Sequence, residues 1–202
     1  MKDALAIYDF LEKKDLLRNS PPLWWPNAGT FEVVIGAVLT QNTTWKNVER
    51  SLANLEGFLT LTAFSTLDET QLRERIRPSG FYNQKAPRLL ALAQNIQKDF
   101  HSFEQFQKEV SREWLLAQKG LGKESSDAIL CYGCLRDVMV VDSYTKRLLK
   151  KFGIAFDSYD AYQEFLEAPF RKTKSKEELA SLFAAFHGMI VEYNKHYKNE
   201  LL

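Results

Sequence analysis

Cysteine, proline and histidine are all scarce in this chain: two, six and three among 202 residues. Cys131 and Cys134 stand three apart, with no second ligand pair and no βαβ pattern around them, so buried structural thiols in a reducing, cytoplasmic setting are expected. His101, His187 and His196 lack metal-ligand spacing to one another and point to surface or core roles. No run approaches the ~20 apolar residues of a membrane span. The opening Met1-Lys-Asp-Ala-Leu-Ala-Ile-Tyr-Asp9 carries acids where a signal peptide needs an unbroken apolar stretch. No Asn-Gly or Asp-Gly pair marks a β-hairpin, and there is neither an internal repeat nor a low-complexity linker. Proline is absent between Pro87 and Pro169, which predicts long uninterrupted helices there. A formal net charge of +1 does not by itself announce a nucleic-acid binder.

What is present is helical periodicity. Hydrophobic residues make up 45% and charged residues 26%, ordinary for a globular chain. Phe31, Val34, Ile35, Val38 and Leu39 recur at helical spacing behind Thr30 as a cap, and Trp45, Val48, Leu52 and Leu55 follow Thr43 and Thr44. Ala86, Leu89, Leu90, Ala93 and Ile96 form a further stripe, and Leu179, Leu182, Phe183, Phe186 and Ile190 a last one. The predicted class is all-α. Asn19-Ser-Pro-Pro-Leu-Trp-Trp-Pro-Asn-Ala-Gly29 is the clearest break. Positive charge is clustered: Arg73, Arg75, Arg77, Lys85 and Arg88 in one group, Lys146, Arg147, Lys150 and Lys151 in another. Clustering alone reads equally as solvated helix faces or as phosphate contacts.

The most informative stretch is Leu116-Ala-Gln-Lys-Gly-Leu-Gly-Lys-Glu-Ser-Ser-Asp-Ala-Ile-Leu130. It reads as a helix stopped by Gly120, a turn through Leu121 and Gly122 with positive φ at both glycines, and a second helix from Lys123. The free N–H groups opening that helix suit an anion. After the apolar run Val138-Met-Val-Val141 comes Asp142, placed to cap a further helix whose dipole favours its charged form.

This pattern resembles the helix–hairpin–helix motif and downstream catalytic aspartate of the endonuclease III superfamily of DNA glycosylases. Ile76-Arg-Pro-Ser-Gly-Phe-Tyr-Asn-Gln-Lys-Ala86 resembles its wedge loop, Val38-Leu-Thr-Gln-Asn-Thr43 its Leu-Ser-x-Gln-x-Thr segment, and Phe186-His-Gly188 its terminal helix. The resemblance implies two helical domains with a DNA-binding cleft: a six-helix bundle over 30–136, and a second domain from 1–29 and 137–202. It implies Asp142 as the catalytic carboxylate, and Gln41, Phe81, Lys85, Gly120, Leu121, Gly122, Lys123 and Ser125 as DNA-binding residues. In it Phe81 would enter the base stack and Gln41 would fill the space of the extruded base. Both basic groups lie beside segments of the resemblance, Ile76–Ala86 and Asp142, which turns the expectation for them to phosphate contacts.

Two departures narrow the reading. Strand-cutting relatives place a Schiff-base lysine two residues after the second glycine, where this chain has Glu124. Lys123 is adjacent but turned ~100° along the helix. Many relatives also end in four cysteines that hold an iron–sulfur cluster, whereas this chain ends Val191-Glu-Tyr-Asn-Lys-His-Tyr-Lys-Asn-Glu-Leu-Leu202. A monofunctional enzyme is expected, without the cluster or a metal in its chemistry; the hairpin could hold a monovalent ion. Trp24, Trp25, Pro26 and Trp45 suit a stacking pocket for a flipped cationic base, with Lys195 of the last helix nearby, and Trp45 could equally be core. These features look most like the 3-methyladenine glycosylase III branch. Damaged double-stranded DNA is the expected partner of a monomer in a bacterial cytoplasm, close to the nucleoid. A mismatch- or uracil-type specificity, or a non-catalytic DNA-binding hairpin module, are the alternatives.

Overall fold

The computed structural model describes residues 3–197, and among them the regular structure is helical throughout, without a strand. The helices in chain order are α1 (Ala4–Glu12), α2 (Phe31–Leu39), α3 (Trp45–Asn54), α4 (Leu61–Phe64), α5 (Glu69–Arg75), α6 (Tyr82–Phe100), α7 (Phe103–Glu109), α8 (Arg112–Leu116), α9 (Lys123–Ala128), α10 (Ser143–Lys151), α11 (Tyr159–Arg171) and α12 (Lys176–His196). A 3₁₀ turn at Arg77–Ser79 precedes α6, and a π-helical turn at Ile129–Gly133 follows α9. No described helix is long and apolar enough to cross a membrane.

The chain divides into two compact units, Asn27–Ile129 and Met1–Pro26 with Leu130–Leu202. The sequence placed these divisions at 29/30 and 136/137; the structure sets them at 26/27 and 129/130. Tyr132 accounts for the later shift. Its fully buried ring lies 5.2 Å from Trp25, 5.8 Å from Trp24 and 5.8 Å from His187, all in the unit built from both ends of the sequence.

In the Asn27–Ile129 unit, α2 is central. Its sequence stripe named five residues, yet all but Glu32 are buried, because α3, α6 and α9 pack around it. A helix apolar on all sides is one enclosed on all sides. The unit comprises α2–α9 among the described residues, more than the six helices expected. Local capping explains the excess. Thr60, Asp68, Ser102 and Ser111 each accept a backbone N–H at a new helix start, and His101, at φ 64°, ends α6. The long proline-free stretch is thus cut by side-chain caps, while Pro87 and Pro169 lie inside α6 and α11. Thr30 and Thr44 occupy cap positions without making a side-chain cap bond; Thr30 Oγ1 donates to the Asn27 carbonyl instead.

In the other unit α1, α10, α11 and α12 share one apolar core that includes Ile7, Leu148, Leu166, Phe183 and Ile190. Tyr8 packs edge-on against Phe170 and Phe186. A capping box of Ser175 and Glu178 starts α12, whose 21 residues carry His187, Gly188 and Glu192.

Candidate active site and DNA-binding elements

The buried run Met139-Val140-Val141 delivers Asp142 to the N-cap of α10. Its Oδ1 accepts from the Thr145 amide at 2.7 Å and the Thr145 hydroxyl at 2.9 Å. Its Oδ2 faces His187 Nε2 at 3.5 Å. Burial alone would raise this carboxyl, but the His187 ring and the Thr145 donors outweigh it and hold the group below its usual range. Asp142 therefore stays ionised although only 14% of its side chain is exposed. His187 is buried on α12, and its Nδ1 lies 2.7 Å from the Tyr132 hydroxyl, itself 3.1 Å from the Ala184 carbonyl. Burial, then the neighbouring Cys131 and Asp142, push the Tyr132 phenol well above its normal range.

The tryptophan pair lies on the same side chains. Trp24 packs edge-on to His187 at 5.3 Å and to Trp25 at 6.2 Å. Its backbone is left-handed, at φ 64°, a conformation that costs energy in a bulky residue. Two contacts hold it there. Gly188 leaves room for the ring, since a Cβ at that position would lie 2.5 Å from Trp24 Cγ, and Trp24 Nε1 donates to Glu192 at 2.9 Å. Burial raises the Glu192 carboxyl, but hydrogen bonds from Lys195 and Trp24 bring it below its usual range. Lys195 Nζ bonds Glu192 at 2.8 Å and lies 5.7 Å from the Trp24 ring centre. Trp25 is buried against Tyr132, Pro26 is half-buried, and Trp45 is a half-buried first residue of α3 in the other unit.

In that other unit the hairpin is built as the sequence suggests at one glycine. Gly120 has φ 90°, and a Cβ there would strike the Arg88 side chain at 2.5 Å. Gly122 differs: it is extended, at φ −104°, with open space where a Cβ would go. Neither its backbone conformation nor any neighbour requires a glycine at this position. Leu121 is buried, Lys123 half-buried and Glu124 exposed on the first turn of α9. Arg112 grips the fully buried Asp127 through Nε and Nη2 at 2.6 and 2.8 Å, locking α8 to α9, a tie with no local sequence signal.

Several residues expected at DNA are committed elsewhere. Lys85 is 2% exposed, and its Nζ donates to the carbonyls of Leu39 and Ser79 at 2.8 and 2.9 Å; it ties α6 to the end of α2 and offers nothing to phosphate. Gln41 Nε2 donates to the Gly120 carbonyl and the Ser125 hydroxyl, each at 2.9 Å, so filling an extruded base's space would require breaking both bonds. Ser125 is buried by the same contact. Arg73 pairs with Glu69, and Arg75 donates to the Asn54 carbonyl. Phe81, by contrast, is 59% exposed at φ 48° directly before α6.

The profile of the HhH-GPD superfamily, base excision DNA repair proteins, matches residues 35–172, more than half of the chain. The chain belongs to this superfamily. A Methanocaldococcus jannaschii protein described as a DNA repair glycosylase is 39% identical over 183 residues, covering 86% of this chain and 80% of that protein. The structure of a Helicobacter pylori 3-methyladenine DNA glycosylase (MagIII), bound to 1,N6-ethenoadenine, superposes with a TM-score of 0.92. The two are 48% identical, covering 98% of this chain and all of the other. An endonuclease III trapped covalently on DNA matches at a TM-score of 0.73 and 18% identity, over 100% of this chain and 91% of that one, and shares the fold. Among the described residues no group of three or more His, Cys, Asp or Glu side chains is arranged to hold a metal.

Proposed function

We propose that this superfamily member is a monofunctional DNA glycosylase that flips alkylated bases of the 3-methyladenine type out of duplex DNA and excises them. The observation that carries the reading is the continuity from Trp24 through His187 to Asp142: one buried histidine touches both an aromatic surface and an ionised carboxylate. Breaking an N-glycosidic bond builds positive charge on the sugar, and a fixed carboxylate in a poorly solvated site stabilises that charge and orients the attacking water. Purines methylated at N3 or N7 are cationic and leave readily. The π-face of an indole attracts them, by up to ~2 kcal/mol when desolvated. The 48% identity to a 3-methyladenine glycosylase supports this substrate class.

Loss of strand cutting rests on Glu124, since a carboxylate cannot form an imine with the sugar. The exposed Phe81 is the wedge that enters the stack, and the Gly120–Gly122 turn approaches the backbone of the DNA. A four-thiolate iron–sulfur cluster does not fit: the 202 residues hold two cysteines, both buried, and burial pushes the Cys134 thiol up to about 12.

The test is release of free base from DNA treated with a methylating agent, run beside uracil-containing and mismatched duplexes and with borohydride trapping. Methylated purines should appear, the strand should break only after alkali, and no covalent adduct should form. Release confined to uracil or mismatched bases would overturn the substrate class, and a stoichiometric adduct would overturn the monofunctional assignment.

A further inference from the structure

Nothing in the sequence distinguishes His187 from a core histidine, yet its surroundings are not those of a spectator. Asp142 Oδ1 is already fixed by two donors from Thr145, which leaves Oδ2 as the oxygen free to face a reacting sugar or water. The group set against Oδ2 is His187 Nε2, at 3.5 Å, and that buried nitrogen makes no closer hydrogen bond.

We propose that His187 is a positioning residue for Asp142: its Nε2–H holds Oδ2 in line for the reaction, and the Tyr132 hydroxyl on the opposite ring nitrogen sets the proton that makes this possible.

The proton count supports it. If the Tyr132 O–H donates to Nδ1, the neutral ring keeps its one hydrogen on Nε2, facing the carboxylate. If the phenol donates instead to the Ala184 carbonyl, Nδ1 must donate to the phenol oxygen. A neutral ring would then turn a bare lone pair on Asp142, which is repulsive, and the imidazolium is the arrangement that satisfies both neighbours. Either permitted state carries a hydrogen on Nε2. At 3.5 Å the contact is longer than a full hydrogen bond, and catalytic contacts commonly tighten when the reacting complex forms. Trp24 gives a cause for such tightening. Its ring rests edge-on against His187, so a base pressing on Trp24 presses on the side chain that orients Asp142. Stacking and chemistry would then share one lever.

This inference rests on Asp142 serving the reaction. Its test compares His187→Asn and His187→Gln, with Asp142→Asn alongside. An Asn amide lies near the position of Nδ1 and can bond Tyr132 without reaching Asp142; a Gln amide reaches the position of Nε2. Each variant is measured for single-turnover release of methylated base and for affinity to a duplex carrying an uncleavable abasic analogue, with thermal unfolding as the check on folding. His187→Asn should release base at least about tenfold more slowly than the parent, with affinity within about twofold, and His187→Gln should recover most of that loss. Parental release by His187→Asn, or equal slowing in both variants, would overturn the proposal. So would a loss of affinity as large as the loss of rate. If Asp142→Asn itself released base at the parental rate, the Asp142 reading would fall, whatever the His187 variants did.

Discussion

Each unit buries a side chain that water would normally keep, and the two are treated differently. In the Asn27–Ile129 unit, Lys85 is 2% exposed, and both of its neighbours are carbonyls at full hydrogen-bond distance. Burial lowers its ammonium to about 8, and the neutral amine still has two N–H groups for the two carbonyls. In the other unit His187 is as deeply buried, yet its Nε2 lies 3.5 Å from a carboxylate, short of a full bond. A satisfied buried group holds a fold together; one left under-satisfied beside an ionised carboxylate keeps interaction energy available for a later state.

The largest effect expected from disturbing this contrast is on stability, at Lys85. Lys85→Met leaves two buried carbonyls unpaired at ~1–3 kcal/mol each, so denaturant unfolding should show a loss of about 3 kcal/mol. The chemistry on Asp142 should be unchanged in molecules that remain folded. The pH dependence has a definite sign. Between pH ~8 and ~10.5 the unfolded chain binds a proton at Lys85 that the folded chain does not, so the parent should gain stability relative to Lys85→Met as pH rises through that window. A constant difference would show that the amine is charged throughout.

The tryptophans divide next. Trp25 is buried against Tyr132, so Trp25→Ala should act mainly on the melting temperature. Trp24→Ala should instead reduce excision of cationic methylated bases about tenfold, as losing a stacking surface worth ~1–3 kcal/mol implies, with helical circular dichroism retained. Equal effects of the two on folding would remove the distinction between pocket wall and core.

The smallest effect belongs to Phe81. An exposed ring at a left-handed position contributes little to the fold, so Phe81→Ala should change stability by less than about 0.5 kcal/mol. It should weaken binding to lesion duplexes more than to single strands of the same sequence. Equal losses on both would reject the wedge role.

Local features carried most of what the sequence could show. The all-α class followed from stripes such as Phe31 to Leu39 and from the Gly-x-Gly hairpin, and the superfamily from motifs in a fixed order. Asp142 was legible as a helix cap because capping is decided within three residues, here by Thr145. Contacts between distant residues were not legible. His187 lies 45 positions after Asp142 and 55 after Tyr132, and nothing in Phe186-His-Gly188 says what that ring meets. Lys85 read as a surface cation because its basic neighbours suggested phosphate, whereas the carbonyls of Leu39 and Ser79 reach it only once α2 and α6 pack. Gln41 was equally hidden: its partners on the hairpin are 79 and 84 residues away. Gly122 misled for another reason: a turn glycine need not take positive φ, and here the extended backbone and open surroundings would admit a side chain.

The central claim is that an ionised Asp142, and not merely a helix cap, performs base excision. Asp142→Asn tests it most directly, because asparagine can still accept the Thr145 hydrogen bonds while carrying no charge. Single-turnover release of base from methylated duplex DNA should fall by about 10²-fold or more. Affinity for the same duplex should hold or rise slightly, and stability should change by no more than about 1 kcal/mol. Release at the parental rate by this variant would contradict the account and leave Asp142 as a cap alone.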